Sequence, residues 1–149
     1  MQTFKIVIDT REQSAYTFAN IDPRPQVIYK ALSTGDYSLD GFEDRITIER
    51  KSLIDLFGST GQGRERLQRE FERMADFEYA ALVVEKGLGD IFKRKPAHSQ
   101  MNPKAVFRTL ISWSIRYGVF VWSCPDRNFA ERLTYLLLEK WYLEAMEKI

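Results

Sequence analysis

Cysteine and histidine are almost absent from this sequence, which contains one of each among 149 residues. A single cysteine excludes an internal disulfide and a zinc site built from several cysteines. A single histidine excludes a metal centre rich in imidazole ligands. Any metal chemistry must therefore rely on the 21 aspartate and glutamate side chains, whose oxygen atoms are the remaining suitable ligands.

Long apolar runs and a strong net charge are also missing. No stretch approaches the roughly 18 apolar residues of a membrane span, and no charged segment followed by an apolar one resembles a leader. We therefore expect a soluble intracellular protein that contacts no membrane. The formal net charge is only +1, which argues against a uniformly basic coat for nucleic acid. The length fits a single domain, residues 1–149, that buries roughly 70% of its unfolded surface.

The most informative part of the sequence is a predicted hairpin in the first third of the chain. An Asp-Gly dipeptide at residues 40–41 lies between two β-prone runs. This arrangement predicts antiparallel strands over residues 37–39 and 45–50. The two strands would bring Asp36 and Glu49 together at one end of the hairpin.

Alternation along the second strand collects charged groups on one face. Glu49 and Lys51 should point the same way, whereas Arg50 should point to the other side of the sheet. Two carboxylates about 4 Å apart repel by roughly 4 kcal/mol at an effective dielectric of about 20, so Asp36 beside Glu49 needs a compensating cation. Oxygen ligands favour Mg²⁺ or Mn²⁺, which can polarise a phosphodiester and activate water. The alternative is a surface hairpin whose charges are merely solvated.

A second acidic segment follows a short apolar strand predicted over residues 4–9. It reads Asp-x-Arg-Glu and contributes Asp9, Arg11 and Glu12. Ligands of open α/β sheets bind at the carboxyl ends of strands, so Asp9 and Glu12 are candidates for the same acidic cluster. In the alternative interpretation, Arg11 and Glu12 belong to a solvated strand exit.

Three motifs occur in a specific order: Asp-x-Arg-Glu from Asp9, Gly-Asp-Tyr from Gly35, and Glu-Arg-Lys-x-x-x-Asp from Glu49. Together they resemble the signature of the XPF family of structure-specific endonucleases. The Gly-Arg pair at residues 63–64 and the apolar strand at residues 82–85 resemble further parts of that family's pattern. The resemblance implies a restriction-endonuclease-like core, which we expect to be a three-layer α/β/α fold with a mixed central sheet. It also implies cleavage of branched or flapped DNA with Mg²⁺ or Mn²⁺, usually by a dimer.

The resemblance implies roles for individual residues as well. Asp36 and Glu49 would be metal ligands, with Asp9 as an additional acid near the metal. The backbone carbonyl of Arg50 would be a further ligand. Lys51 would be the catalytic lysine that holds the attacking water or the phosphate.

Three more residues of the same motifs are accessory candidates, namely Arg11, Glu12 and Asp55. Asp55 also has a structural explanation, because Ser52 and Asp55 have the spacing of a capping box at the start of a helix. Capping and a catalytic role are both open for Asp55.

Basic residues cluster in two places that could contact DNA phosphates. Lys93, Arg94 and Lys95 form a loop segment without a neighbouring acid, which favours phosphate contact. Arg64 and Arg66 lie on a helix predicted over residues 64–77.

That helix also offers partners for its own arginines. Glu65, Glu70 and Glu72 are suited to ordinary salt bridges with them. The surface of the helix is therefore either a solvated face or a DNA contact.

In the last third of the chain, the sequence pattern predicts two helices with one strand between them. An Asn-Pro pair at residues 102–103 is a good helix start, and Gly118 is a good stop. This helix carries two apolar stripes, the second formed by Phe107, Ile111 and Ile115. The two stripes predict burial on more than one side.

Asn128 is the predicted cap of the final helix, which carries more apolar side chains than one core-facing side needs. Trp141, Tyr142 and the leucines at 136–138 account for this surplus. We therefore expect a homodimer through the C-terminal helices, with a heterodimer as an open alternative. It is equally open that this aromatic surface packs on the chain's own sheet.

Two other functions are open at this point. The resembled family includes degenerate nuclease domains, so the chain could be a non-catalytic DNA-binding partner of an active nuclease. Its intact Asp36, Glu49 and Lys51 argue against that function. A nucleotide- or phosphate-binding α/β protein could use the glycine-rich segment at residues 58–64, although this segment lacks the Gly-Lys-Ser/Thr of a phosphate-binding loop.

Overall fold

The computed structural model of the chain describes residues 3–52, 55–56, 58, 63–87, 89–90 and 102–147. Within these residues, six strands form one sheet and three long helices cover it. The strands are β1 (Lys5–Asp9), β2 (Gln26–Lys30), β3 (Tyr37–Leu39), β4 (Ile46–Lys51), β5 (Tyr79–Val84) and β6 (Phe120–Ser123). The helices are α1 (Arg64–Met74), α2 (Pro103–Tyr117) and α3 (Arg127–Glu147). No helix in these ranges is both long and apolar enough to cross a membrane.

The sheet is mixed, with the strand order β2-β1-β3-β4-β5-β6. β3 pairs antiparallel with both β1 and β4, and the other neighbouring strands pair in parallel. The hairpin predicted from the Asp-Gly dipeptide is therefore present, and it forms the centre of the sheet. Because β1, β4 and β5 run in the same direction, their carboxyl ends meet at one edge, where β3 begins.

Helices cover both faces of the sheet. One face packs against α3 through a core that joins residues of β1, β3, β4 and β5 to Ala130, Tyr135 and Leu138. The opposite face packs against α1 and α2 through a second core, which includes Leu82 and Val84 of β5. We call these the α3 face and the α1 face of the sheet. The predicted three-layer α/β/α architecture with a mixed sheet is confirmed.

The register between β4 and β5 shows how the charged residues are distributed. Glu49 is paired with Leu82, which belongs to the core on the α1 face, and Arg50 is paired with Val83, which belongs to the core on the α3 face. Paired residues of neighbouring strands share a face, so Glu49 points toward α1 and Arg50 toward α3. The predicted alternation is thus confirmed, with Lys51 on the same side as Glu49.

The predicted boundaries of α2 are also confirmed. The Asn102 side chain accepts a hydrogen bond from the backbone N–H of Lys104, and Pro103 occupies the first turn. Gly118 follows the last turn at φ 66°, a left-handed conformation that favours glycine. Helix α1 forms as predicted but ends at Met74, earlier than the predicted residue 77.

The prediction that α2 is buried on more than one side is wrong for the single chain. Val106, Leu110 and Trp113 are buried in the core of the α1 face. By contrast, Ile111 and Ile115 are 45% and 79% exposed. One stripe is enough to cover this part of the sheet, so Ile111 and Ile115 of the second stripe remain exposed.

The start of α3 also differs from the prediction. The helix begins at Arg127, and a carboxylate oxygen of Asp126 accepts a hydrogen bond from the backbone N–H of Phe129 at 2.8 Å. This bond satisfies an N–H group that has no partner within the helix. Asp126 therefore caps α3, and the prediction that Asn128 is the cap is wrong.

Candidate active site

The acidic motifs converge at the carboxyl edge of the sheet. Asp9 ends β1, Lys51 ends β4 and Asp36 immediately precedes β3, so all three lie at the edge where the parallel strands terminate. Glu49 lies two residues before the end of β4 and points to the α1 face. The sheet topology thus brings together residues that are distant in the sequence.

Gly35 allows the chain to pass directly over β4 and so sets the position of Asp36. Its φ is 82°, in the left-handed region, and a Cβ atom at this position would lie 2.0 Å from Oγ1 of Thr47. The same Thr47 hydroxyl donates a hydrogen bond to the backbone carbonyl of Thr34 at 2.9 Å. Any residue other than glycine would push this loop off β4, and Asp36 would move with it.

Asp36 is tied to both neighbouring strands. Its N–H donates to the carbonyl of Ile48 at 2.8 Å, and its own carbonyl accepts from the N–H of Asp9 at 2.9 Å. Its carboxylate Oδ2 accepts from the backbone N–H of Arg50 at 2.8 Å. Because Ile48 and Arg50 flank Glu49 along β4, these bonds hold Asp36 beside Glu49.

The two carboxylates are difficult to ionise together. Burial raises the pKa of Asp36 to about 7, against the lowering effect of the Arg50 N–H. Burial and the charge of Asp36 raise the pKa of Glu49 well above its ordinary value. The Lys51 ammonium lies 3.8 Å from Oε1 of Glu49 and offsets part of this repulsion. A divalent cation would stabilise the ionised pair further.

Asp9 is already bonded within the chain. Its Oδ1 accepts from the N–H of Leu32 at 2.8 Å, and both of its oxygens accept from the Arg11 guanidinium. Burial alone would raise the pKa of Asp9, but these hydrogen bonds outweigh it and hold the pKa below its usual value. Arg11 also donates to the carbonyl of Leu32. Asp9 and Arg11 thus clamp the segment that leads from β2 to Asp36.

The Glu12 carboxylate binds on the side of β4 opposite to Glu49. It accepts two hydrogen bonds from the Arg50 guanidinium, at 2.9 and 3.0 Å. Glu85, just beyond β5, accepts a third from Arg50 at 2.9 Å and is also paired with Arg127 at 3.1 Å. Burial opposes the ionisation of Glu12, but the bonds from Arg50 outweigh it and lower its pKa. Glu12 therefore belongs to an ion-pair network on the α3 face.

Glu70 of α1 is an acidic residue that sequence reasoning missed. Its Oε2 atom is buried and has no hydrogen-bond partner in the described part of the chain. One carboxylate oxygen of Glu70 therefore lies away from the solvated helix surface on which the sequence predicts salt bridges for this residue. Burial, Asp36 and then Glu70 are the largest contributions that raise the pKa of Glu49. The available signal was that Glu70 interrupts an apolar stripe of α1.

Asp55 has the capping contact that its spacing predicts. Its backbone N–H donates to the hydroxyl of Ser52 at 3.2 Å, and the N–H of Leu56 donates to the carbonyl of Ser52 at 2.9 Å. Ser52 therefore caps a helical turn. This contact involves only the backbone of Asp55, so a catalytic role of its carboxylate stays a prediction.

The predicted DNA-binding residues differ in their surroundings. The Arg64 guanidinium lies 4.8 Å over the ring of Trp113 and donates to the hydroxyl of Thr109 at 2.7 Å, so it joins α1 to α2. Arg66 is exposed on α1. The predicted phosphate contact of Lys93, Arg94 and Lys95 falls outside the described residues.

The donor atoms of the site fit a hard divalent cation. The candidate ligands are all oxygen atoms, namely the carboxylates of Asp36 and Glu49 and the backbone carbonyl of Arg50. The buried, unbonded Oε2 of Glu70 adds another oxygen on the same face. In the described ranges, no three acidic, histidine or cysteine side chains are placed to hold one ion together. Such a site suits Mg²⁺, which binds through one or two carboxylates and keeps several waters.

Comparison with known proteins identifies the family. The family model of the ERCC4 domain matches residues 8–137, and no curated protein matches the sequence. XPF from Aeropyrum pernix in complex with DNA is similar in structure, with a TM-score of 0.71 and 22% identity, and the match covers 94% of this chain. A second structure of XPF from Aeropyrum pernix has a TM-score of 0.67 and 23% identity, and its match covers 89% of this chain. The match covers 66% and 60% of those two chains.

These likenesses show that the mixed six-stranded sheet with its helices has the restriction-endonuclease-like fold of the XPF nuclease domain. The residues matched by the ERCC4 model include Asp9, Asp36 and Glu49 and extend over most of the chain. The resemblance to the XPF family predicted from the sequence is therefore confirmed, and the chain belongs to the ERCC4 domain family.

Proposed function

We propose that the chain is a divalent-metal-dependent DNA endonuclease that hydrolyses phosphodiester bonds in branched or flapped DNA. The observation that carries this proposal is the placement of Asp36 beside Glu49 on the α1 face. Their raised pKa values show that burial and mutual repulsion oppose ionisation of the pair, which a bound cation would favour. The structure of a similarly folded XPF chain in complex with DNA supports DNA as the class of substrate.

Three oxygen donors would hold Mg²⁺ or Mn²⁺, namely Asp36, Glu49 and the backbone carbonyl of Arg50. Asp9 is a candidate additional ligand, because its Oδ2 accepts one hydrogen bond, from Arg11, and has a lone pair left. When bound, the ion supplies a Lewis acid that polarises the phosphodiester and lowers the pKa of an attacking water.

Lys51 ends β4 on the same face as the two acids. Its ammonium can there contact a phosphate oxygen or orient the attacking water. The substitution Lys51→Ala should therefore lower turnover more than metal affinity, which cleavage rates measured over a range of metal concentrations would show. Loss of metal affinity with normal turnover at saturating metal would contradict this role.

Cleavage of defined DNA substrates tests the proposal directly. End-labelled linear, flap, fork and four-way DNAs would be incubated with the purified chain and Mg²⁺ or Mn²⁺. We expect metal-dependent cuts near branch points, and we expect Asp36→Ala and Glu49→Ala to abolish them. Circular dichroism and thermal melting would show that both variants fold. Normal cutting by the two folded variants would overturn the proposal.

Two alternative functions give different results in the same experiments. A non-catalytic partner subunit would bind the branched DNAs without cutting them under any metal condition. A nucleotide-binding protein would bind free nucleotides in a direct titration. The segment at residues 58–64 on which that function depends lies largely outside the described residues.

A further inference from the structure

Glu70 lies on the core-facing side of α1 although it is charged. Leu67, Phe71 and Met74 of this helix are buried in the core of the α1 face. Residues separated by three or four positions share one side of a helix, so Glu70 belongs to the same stripe. A charged group in an apolar stripe opposes folding unless something compensates for it.

Within the described part of the chain, one of the two carboxylate oxygens of Glu70 has no such compensation. Oε2 of Glu70 is buried and accepts no hydrogen bond there. The next arginines on the helix, Arg66 and Arg69, are exposed. A buried acceptor without a partner costs about 1–3 kcal/mol, and more when it is charged. An acid at such a position favours binding of a cationic ligand.

The charges around Glu70 indicate what that ligand is. Glu49 is paired with Leu82, and Leu82 lies in the same core cluster as the apolar stripe of α1. After burial and Asp36, the charge of Glu70 is the next contribution that raises the pKa of Glu49. The charges of Asp36 and Glu70 both act on Glu49, whose Oε1 lies 3.8 Å from the ammonium of Lys51, and a divalent cation would balance the remaining negative charge.

We propose that Glu70 is a third acidic residue of the metal centre and that it binds the divalent ion through the ion's water shell. This inference rests on the proposed metal-dependent function. Direct coordination is disfavoured, because no three acids in the described ranges are placed to share one ion. Mg²⁺ keeps several waters in protein sites, and a nearby carboxylate can accept hydrogen bonds from them. Glu70 is therefore a positioning residue whose effect is on metal affinity.

Calorimetric titration of matched variants with Mn²⁺ tests this role. Glu70→Gln keeps the shape of the side chain and removes its charge. It should weaken Mn²⁺ binding by about 10- to 100-fold, as loss of such outer partners typically does. Glu72→Gln is the matched control, because Glu72 lies on the same helix and is exposed. The Glu72→Gln variant should bind Mn²⁺ with the same affinity as the wild type. Equal affinities of the two variants would overturn the inference.

Thermal melting in EDTA gives a readout without metal. Removing one of three repelling carboxylates should raise the melting temperature of the Glu70→Gln variant. Glu70→Leu would also complete the apolar stripe of α1 and should raise it further. If Glu70 served only the fold, both variants would melt at lower temperatures than the wild type, and the proposal would be overturned.

The wild-type chain separates the failure of this inference from the failure of the proposed function. If it binds Mn²⁺ and cuts DNA, while Glu70→Gln binds Mn²⁺ equally well, only the role of Glu70 is overturned. If it neither binds Mn²⁺ nor cuts DNA, the metal-dependent function is overturned and the role of Glu70 with it. Where the role holds, Glu70→Gln should regain the wild-type cleavage rate at saturating Mn²⁺.

Discussion

Asp36 and Glu49 are held side by side by hydrogen bonds to the backbone, so their repulsion is part of the fold. The N–H and Oδ2 of Asp36 bond to β4 on both sides of Glu49. These bonds persist whether the carboxyl groups are ionised or protonated at their other oxygens. Burial, and for Glu49 also the charge of Asp36, raises both pKa values, so the protonated forms are favoured when no cation is bound.

The stability of the metal-free chain should consequently fall as the pH rises from about 5.5 to about 8. A carboxyl with a raised pKa binds more protons in the folded state than in the unfolded state, so its contribution is lost as the pH rises through the folded pKa. The folded pKa of Asp36 is about 7, and that of Glu49 is shifted in the same direction. We expect a loss of roughly 2 kcal/mol, measured by urea unfolding in EDTA.

The Asp36→Asn variant is the control for this effect and should show a flatter dependence on pH. Asp9 and Glu12 do not interfere, because their pKa values are lowered. Their contributions are lost only in acid, as the pH falls below their unfolded values. A wild-type chain whose free energy of unfolding in EDTA rises as the pH increases from about 5.5 to about 8 would contradict the prediction.

Single residues were predictable from the sequence where their placement depends on local structure. The common face of Glu49 and Lys51 follows from alternation along one strand, and the hairpin turn brings Asp36 to them. The partner of Glu12 was not predictable, because Arg50 reaches it across the sheet. Glu70 was missed as a site residue because its position in the apolar stripe of α1 is a local signal, whereas the packing of α1 on β5 that buries it is not.

At the level of elements, β4 is a strand with different tasks on its two faces. Glu49 faces α1, and Arg50 reaches Glu12 and Glu85 on the α3 face. The Arg50, Glu12 and Glu85 side chains are only 10%, 6% and 9% exposed. This ion-pair network anchors the strand at the residue whose backbone N–H binds Asp36. The fold beneath the metal site therefore depends on charges on the opposite face.

The substitution Arg50→Met should destabilise the chain by about 3 kcal/mol, because it leaves Glu12 and Glu85 buried without their shared partner. Urea unfolding would measure the loss. Lys30→Met is the matched control, since Lys30 pairs with Asp40 in an exposed position where ion pairs contribute little. Equal stabilities of the two variants would show that the buried network does not anchor β4.

Element boundaries were predictable where capping residues mark them, and burial was not. The Asn-Pro start and the Gly118 stop of α2 match the structure. The exposure of Ile111 and Ile115 does not match, because periodicity shows which residues share a side but not whether anything covers that side. Asp126 and Asn128 are both acceptable caps in the sequence, and only the observed hydrogen bond to Asp126 decides between them.

For the whole molecule, the net charge of +1 means that DNA binding has to be localised. Replacing Lys93, Arg94 and Lys95 together by alanine should weaken binding to every DNA sequence. It should also reduce the slope of log affinity against log salt by about 0.9 for each phosphate of duplex DNA that is no longer neutralised. Fluorescence anisotropy over a salt series would measure both. If the salt slope of this triple variant equals that of the wild type while the slope of Arg66→Ala is reduced, the DNA-binding surface lies on α1.

The apolar residues of α3 that were expected to form an interface are largely used within the chain. Leu138 is fully buried, and Trp141 packs against the ring of Phe42 at 5.4 Å. Tyr142 contacts Phe4 and Phe42 at 5.3 and 5.9 Å. These contacts agree with the alternative interpretation, in which the aromatic surface of α3 packs on the chain's own sheet. A homodimer through α3 would have to use its exposed residues, such as Leu136 and Leu143, and the chain also offers another apolar surface.

Such a surface lies at the β6 edge of the sheet. Ile111 and Ile115 of α2 and Phe120 and Trp122 of β6 are all between 40% and 79% exposed. A groove of about 420 Å³ lies between α2 and β6 and is lined mainly by apolar residues of both. β6 is also an edge strand, which leaves backbone groups available for pairing. Clustered apolar exposure of this kind is typical of protein–protein interfaces.

We predict that the chain forms a homodimer through this β6 edge. Light scattering should report twice the chain mass of 17.5 kDa. Ile111→Glu with Ile115→Glu should produce a monomer, because unpaired charges cannot be buried in an interface at low cost. The matched control is Leu136→Glu with Leu143→Glu on the exposed side of α3, and it should leave the dimer intact. The opposite pattern would assign the interface to α3, and a monomeric wild type at high micromolar concentration would favour a different chain as the partner.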